Sequence, residues 1–152
     1  MHLRSIRERV IQTSSFELIG IGFVSPLYAF VAGTDMSESF TLITLISITI
    51  LVWSPLFNTL FDYFDALSSG RVASERPGPL RMLHATLHEV CAIALTCPIL
   101  IHVGGHSLLD ALKFNLGLTL TYTAYTYIFH LIYDHLRPVR AESTDFQKPL
   151  NP

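Results

Sequence analysis

Two carboxylates stand inside apolar runs long enough to cross a bilayer. Glu17 lies within RVIQTSSFELIGIGFVSPLYAF (Arg9 to Phe30), two turns past its basic start, and Glu89 holds the same place in RMLHATLHEVCAIALTCPILI. An ionisable group at the centre of a membrane helix costs about 2.5–3.5 kcal/mol, so it faces protein or water and marks a candidate site of function. Low-dielectric surroundings disfavour a carboxylate's charged form, which suits a group that trades a proton for another cation. The structural alternative is a carboxylate that only hydrogen-bonds between helices. The neighbours one turn away are small, Thr13, Ser14 and Gly20 around Glu17 and Ala85, Thr86 and Ala92 around Glu89. Small residues let helices approach closely and leave space for water or a ligand.

A second group, Trp53, Asn58, Tyr125 and His130, falls at matching places in the second and fourth apolar segments. Antiparallel neighbours bring these residues to the depth of the glutamates. There they are expected to line a substrate path, since aromatic faces beside a carboxylate attract an organic cation. Trp and Tyr also favour membrane interfaces, which is the competing explanation. Asp62 and Asp134 end the same two segments beside Arg9 and Arg81. Charge pairs Arg9 with Asp62 and Arg81 with Asp134 are expected to pin the hairpins there, with proton entry as the alternative role. His84 and His88 share a helix face, and His130 is the candidate third ligand of a zinc site. The first segment has Gln12 and Phe16 at the corresponding positions, so no metal or other cofactor is expected. The chain has no phosphate loop, nucleophile motif or basic nucleic-acid patch, which excludes ATP hydrolysis, covalent catalysis and nucleic-acid binding.

The elements that position these residues repeat. A shift of 72 residues, without a gap, lays Arg9 on Arg81, Glu17 on Glu89, Pro26 on Pro98, Gly33 on Gly105, Phe57 on Phe129 and Asp62 on Asp134. Only 14% of the residues are charged and 50% are hydrophobic, where a soluble domain would carry nearer a quarter charged. Four mostly uncharged segments, about Val10–Ala32, Phe40–Phe61, Met82–Val103 and Phe114–Tyr133, can each span about 30 Å of hydrocarbon. The first is too long for a signal peptide's apolar region and contains Glu17. The fold class is therefore an all-α integral membrane protein, four transmembrane helices as two tandem repeated hairpins. Repeat 1 covers about residues 9–65 and repeat 2 about 81–137, within a domain of residues 1–138, and 139–152 form a disordered cytoplasmic tail. The hairpins are joined by a loop, Ala66–Leu80, rich in Ser, Gly and Pro. Of the ten Lys and Arg residues, only Lys113 lies outside the N-terminus, the segment between the second and third helices that ends at Arg81, and the C-terminus. By the positive-inside rule both termini are cytoplasmic. Cys91 and Cys97 share one helix and are read as packing residues.

With these residues laid out, the chain resembles the proteobacterial antimicrobial compound efflux family, also described as bacterial transmembrane pair proteins. The family's Arg-x-x-His-x-x-x-Phe-Glu motif is matched by Arg9, Phe16 and Glu17, with Gln12 in place of His. The second copy has Arg81, His84, Ala85 and Glu89, with His88 where Phe is usual. The second helix carries Trp53, Phe57, Asn58 and Asp62, with Ser54 replacing Asn. The fourth carries Tyr125, Thr126, Tyr127, Phe129, Tyr133, Asp134, Arg137 and Pro138, and the likeness covers about residues 4–138. The resemblance implies proton-coupled efflux of organic cations, such as chlorhexidine, acriflavine and short-chain diamines, across the bacterial inner membrane. It implies Glu17 as the coupling carboxylate, with Glu89 as its counterpart, and no enzymatic activity. The expected partners are small organic cations, protons, the lipid bilayer and a second copy of the chain. The alternative function is a non-transporting membrane protein that binds a partner or senses a ligand.

Overall fold

The computed structural model describes residues 6–70 and 76–137, apart from the side chains of Ile6 and Arg9. The expected tail 139–152 and the side chain of Arg9 lie outside the described residues. The described regular structure is four helices, α1 (Ile6–Ala32), α2 (Met36–Ser69), α3 (Gly78–His102) and α4 (Leu108–Leu136). Glycines at equivalent repeat positions close the two odd helices. Gly33 takes φ 68° and Gly105 φ 67°, a left-handed conformation that a side chain would strain.

The helices outrun the apolar segments. α2 continues through Pro55 to Ser69 because no Gly or Pro follows Phe61 until Gly70, whose φ of 67° and N–H to the Ala66 carbonyl end it. Its 34 residues reach about 50 Å, well beyond a hydrocarbon layer of about 30 Å. The expected loop at Ala66–Leu80 is accordingly shorter, since its first four and last three residues are helical. α4 starts six residues before Phe114 because Ser107 caps it, accepting from the Asp110 N–H. By length and composition, Val10–Ala32, Met36–Ser69 and Gly78–His102 can cross a membrane. α4 has the length, at 29 residues, but its Thr and Tyr residues make it less apolar. Thr121 and Thr123 return their hydroxyls to the carbonyls of Gly117 and Thr119 at 2.8 and 2.7 Å. The hydroxyls are thus satisfied within the helix, as an apolar solvent demands.

Each helix packs against two neighbours, α1 on α2 and α4, and α3 on α2 and α4. Among the described residues, the backbones of α1 and α3, and those of α2 and α4, stay more than 8 Å apart at every Cα pair. The axis of such a ring is reached by side chains alone. Toward the turns that follow α1 and α3, the ring is filled by Val24, Tyr28, Leu42, Ile43, Ile46, Leu100 and Ala111. Toward the opposite, terminal end, Tyr125, Phe129 and Tyr133 stack with Phe16. Leu18, Phe30, Met82 and Leu120 are exposed on the outside, an apolar surface that a bilayer covers. The fold is that of a helical membrane protein.

Candidate functional site: the central cavity

Between the two packed clusters lies a cavity of about 420 Å³, walled by all four helices. α1 contributes Phe16 and Glu17; α2 contributes Ile46, Ser47 and Ile50; α3 runs along it from His88 and Glu89 to Thr96; α4 runs from Asn115 to Thr126. The sequence expected both glutamates at one depth, and the structure brings both to this one space. Each is met by a hydroxyl from the even helix of its own hairpin. Thr119 Oγ1 donates to Glu89 Oε1 at 2.7 Å. Ser47 interacts with Glu17, and its Oγ lies 3.1 Å from the Tyr122 hydroxyl across the ring. Ser47 and Thr119 are themselves 72 residues apart, so the carboxylate–hydroxyl pair is a repeated device.

Toward the turns the cavity is bounded by a buried polar network. Thr96 Oγ1 donates to Asn115 Oδ1 at 2.6 Å, and Asn115 Nδ2 donates to the Ala111 carbonyl and to Cys97 Sγ at 3.1 and 3.2 Å. Cys97 is thus a buried acceptor as well as a packing residue. At the other end His88 Nε2 lies 3.1 Å from Ser54 Oγ. The sequence reading missed Ser47, Thr119, Tyr122, Thr96 and Asn115. Their signal was available in two places: the offset that pairs Ser47 with Thr119, and an amide, Asn115, in the middle of a membrane helix.

Trp53, Asn58, Tyr125 and His130, expected as lining, do not line this cavity. Tyr125 is buried on its terminal side, donating to the Phe16 carbonyl at 2.7 Å with the two rings 4.8 Å apart. His130 Nδ1 meets Gln12 Nε2 at 3.0 Å. Trp53 packs on Phe57, its indole N–H buried without a hydrogen-bond partner, and Asn58 is exposed. Tyr125 sits within the stretch of α4 that borders the cavity but turns to Phe16, and Trp53 turns to Phe57. Asn58 and His130 lie 11 residues beyond Ser47 and Thr119, about three turns along their helices.

Of the expected charge pairs, Arg9–Asp62 falls on a side chain outside the described residues and Arg81–Asp134 stays an expectation; the described ties at this end involve Arg76 and Arg137. Asp62 receives Arg76 Nη2 at 2.5 Å, and the buried Asp65 receives Arg76 Nε at 2.8 Å. Arg76 lies over the Phe61 ring at 4.9 Å, and the hydrogen bonds it donates to Asp65 first and Asp62 second push its pKa up. Arg81 donates its Nε to the Arg76 carbonyl. Across the α1–α4 seam Arg137 Nη1 meets Glu8 Oε1 at 2.9 Å, and the Tyr133 hydroxyl donates to Glu8 Oε2 at 3.3 Å. The sequence reading had no means of knowing that Arg76, in the linking segment, folds back over α2. His84, considered as a zinc ligand with His88, packs its ring on Phe57 and Phe61. Among the described residues, no group of three or more His, Cys, Asp or Glu is placed to hold a metal ion.

A family model for chlorhexidine efflux transporters matches the chain twice, over residues 4–67 and 76–139. The chain belongs to this family. The second match begins and ends 72 residues after the first, the offset that superposes the carboxylates and their hydroxyls. The chain is 28% identical over 130 residues to a short-chain diamines transporter of Acinetobacter baumannii, covering 86% of this chain and 88% of that one. It is 27% identical over 128 residues to the short-chain diamines transporter of Acinetobacter baylyi, covering 84% and 88%. No solved structure matches. The protein is therefore a membrane-embedded, multi-pass transporter of an efflux family, and not an enzyme. The cavity is where such a transporter can hold a small molecule away from lipid. Its volume falls within the range of ordinary small-ligand sites.

Proposed function

We propose that this transporter exports small organic cations in exchange for protons, and that Glu17 carries the exchange. The observation behind this reading is the shared cavity, in which two carboxylates line one space between the four helices of a chain of the chlorhexidine efflux family. A cation entering it meets negative charge, hydroxyl acceptors and the faces of Phe16 and Tyr122. Proton and cation compete for Glu17, so loading one releases the other, and that competition couples the two fluxes. Glu89, held by Thr119, supplies the second negative charge. The relatives named as short-chain diamines transporters support a substrate with two ammonium groups, and chlorhexidine likewise carries more than one cationic centre. Tyr125 and His130, with Trp53 and Asn58, shape the path between the cavity and the terminal face.

The same reading places the protein in the bacterial inner membrane with both termini cytoplasmic. It makes the protein a homodimer packed along α1, where Gly22 has open space beside it. The test is transport in everted membrane vesicles carrying an imposed proton gradient. Addition of 1,4-diaminobutane or acriflavine dissipates the gradient with the parent chain, and Glu17→Gln abolishes the response. An unchanged response in Glu17→Gln would remove Glu17 from the coupling step.

A further inference from the structure

The walls beside the two carboxylates differ in chemistry, and the difference is concentrated at one repeat position. The residue before Glu17 is Phe16, whose ring packs on Tyr125 and Phe129 at 4.8 and 5.2 Å. The residue before Glu89, 72 positions on, is His88. Its ring meets Phe57 edge-on at 5.3 Å, and its Nε2 shares a hydrogen bond with Ser54 Oγ on α2 at 3.1 Å. Both Phe16 and His88 line the cavity. One carboxylate therefore stands beside an aromatic wall and the other beside an imidazole held in place by a hydroxyl.

We propose that the His88–Ser54 pair is a specificity-determining element that makes the Glu89 end of the cavity a seat for a compact primary ammonium group. The inference rests on the proposed export of organic cations and names what this chain selects. An ammonium carries three N–H donors on a strongly hydrated point charge. When it leaves water each donor needs an acceptor, or its burial is costly. The Glu89 carboxylate, the Thr119 hydroxyl oxygen and the imidazole beside them supply hydrogen-bonding capacity that phenylalanine lacks. A planar, delocalised cation is less strongly hydrated and gains more from a ring face. The Phe16 end provides that face, and His88 removes the matching one from the Glu89 end. The cavity thus favours a flexible diamine over a wide aromatic cation.

The experiment is calorimetric titration of the purified full-length protein in nanodiscs at one pH. The probes are 1,4-diaminobutane and acriflavine, and the proteins are the parent, His88→Phe, His88→Gln, Ser54→Ala and Glu17→Gln. Loss of one hydrogen bond to a charged group corresponds to about tenfold in affinity. His88→Phe is expected to weaken diaminobutane by about that factor while acriflavine binds as well or better. His88→Gln, which keeps a polar side chain, retains the diamine preference, and Ser54→Ala reduces it in the same direction as His88→Phe. If His88→Phe and Ser54→Ala shift both probes equally, or neither, the assignment of selectivity to this pair is overturned. Loss of both probes in Glu17→Gln alongside such a result would leave the cation-export reading standing. A parent protein that binds neither probe overturns both.

Discussion

The two halves of this transporter share a backbone plan and part company at a few side chains. Both hairpins have a proline in the odd helix, at Pro26 and Pro98, a left-handed glycine at its end, and a carboxylate met by a hydroxyl from the even helix. They differ in the wall beside the carboxylate, in the tie at the terminal end and in the turn. The shared features build one cavity with two carboxylates in its walls. On the proposed export, two identical halves would offer a cation two equivalent seats, and each difference can be tested by making one half resemble the other.

The largest expected effect separates the carboxylates. Glu17→Gln is expected to abolish gradient-coupled transport, whereas Glu89→Gln leaves a measurable flux with about tenfold weaker diamine binding, the loss of one charged partner. Equal loss in both variants, read in the same vesicles, would make the halves functionally equivalent and break the comparison.

Next come the ties at the terminal end. In the first half Arg76 neutralises the buried Asp65 and reaches Asp62, so removing it strands a carboxylate away from water. In the second half Arg137 meets a Glu8 that is 37% exposed, and exposed ion pairs contribute little. Arg76→Ala is therefore expected to lower the detergent melting temperature by several degrees, and Arg137→Ala by much less. The reverse order would show that the α1–α4 seam, not the link between hairpins, holds this end together.

How much of this was legible in the sequence follows the same division. Features that repeat were readable. The 72-residue offset located both glutamates, the helix pairs and the glycine turns, because a repeated constraint leaves a repeated letter. Features that arise from one half folding on the other were not. Nothing in the spacing of Arg76 says that it bends back over α2, and nothing local says that Ser54 and His88, 34 residues apart, meet. The cavity was foreseeable as a depth and not as a set of walls. Trp53 and Tyr125 were placed at it because their residue types suit cations, whereas their rings pack on Phe57 and Phe16. Polar residues of ordinary look, Ser47 and Thr119, proved closer to the chemistry than the conspicuous aromatics.

The turns offer a smaller contrast. Position 32 is Ala, yet its equivalent 72 residues on is Gly104. A Cβ at 104 would lie 2.7 Å from the Leu100 carbonyl oxygen and 3.0 Å from His106 Cδ2. His106 also hydrogen-bonds the Tyr28 hydroxyl and packs on Phe114 at 4.4 Å, so it has little freedom to give way. Gly104→Ala is expected to cost about 1–3 kcal/mol, the range for overpacking, although the first hairpin carries Ala at that place. Equilibrium unfolding in mixed micelles checks it. An unchanged stability would mean that the second turn opens as easily as the first.

The smallest effect lies at the start of the even helices. Asp35 precedes α2 without a side-chain cap bond, whereas Ser107, its equivalent, accepts from the Asp110 N–H at 3.2 Å and donates to Asp110 Oδ2 at 2.7 Å. Ser107→Ala is expected to cost roughly 0.5–2 kcal/mol, the usual value of an N-cap, and Asp35→Ala close to nothing. The Ser107 bond and then Lys113 hold the Asp110 carboxyl below the ordinary aspartate range. A depressed carboxylate contributes stability above its unfolded pKa and loses it as pH falls through the folded one. The difference between parent and Ser107→Ala should therefore be flat through neutral and mildly acidic pH and narrow only below the ordinary aspartate range. A difference that instead closes well above the aspartate range would take the Asp110 carboxyl out of the cap's contribution.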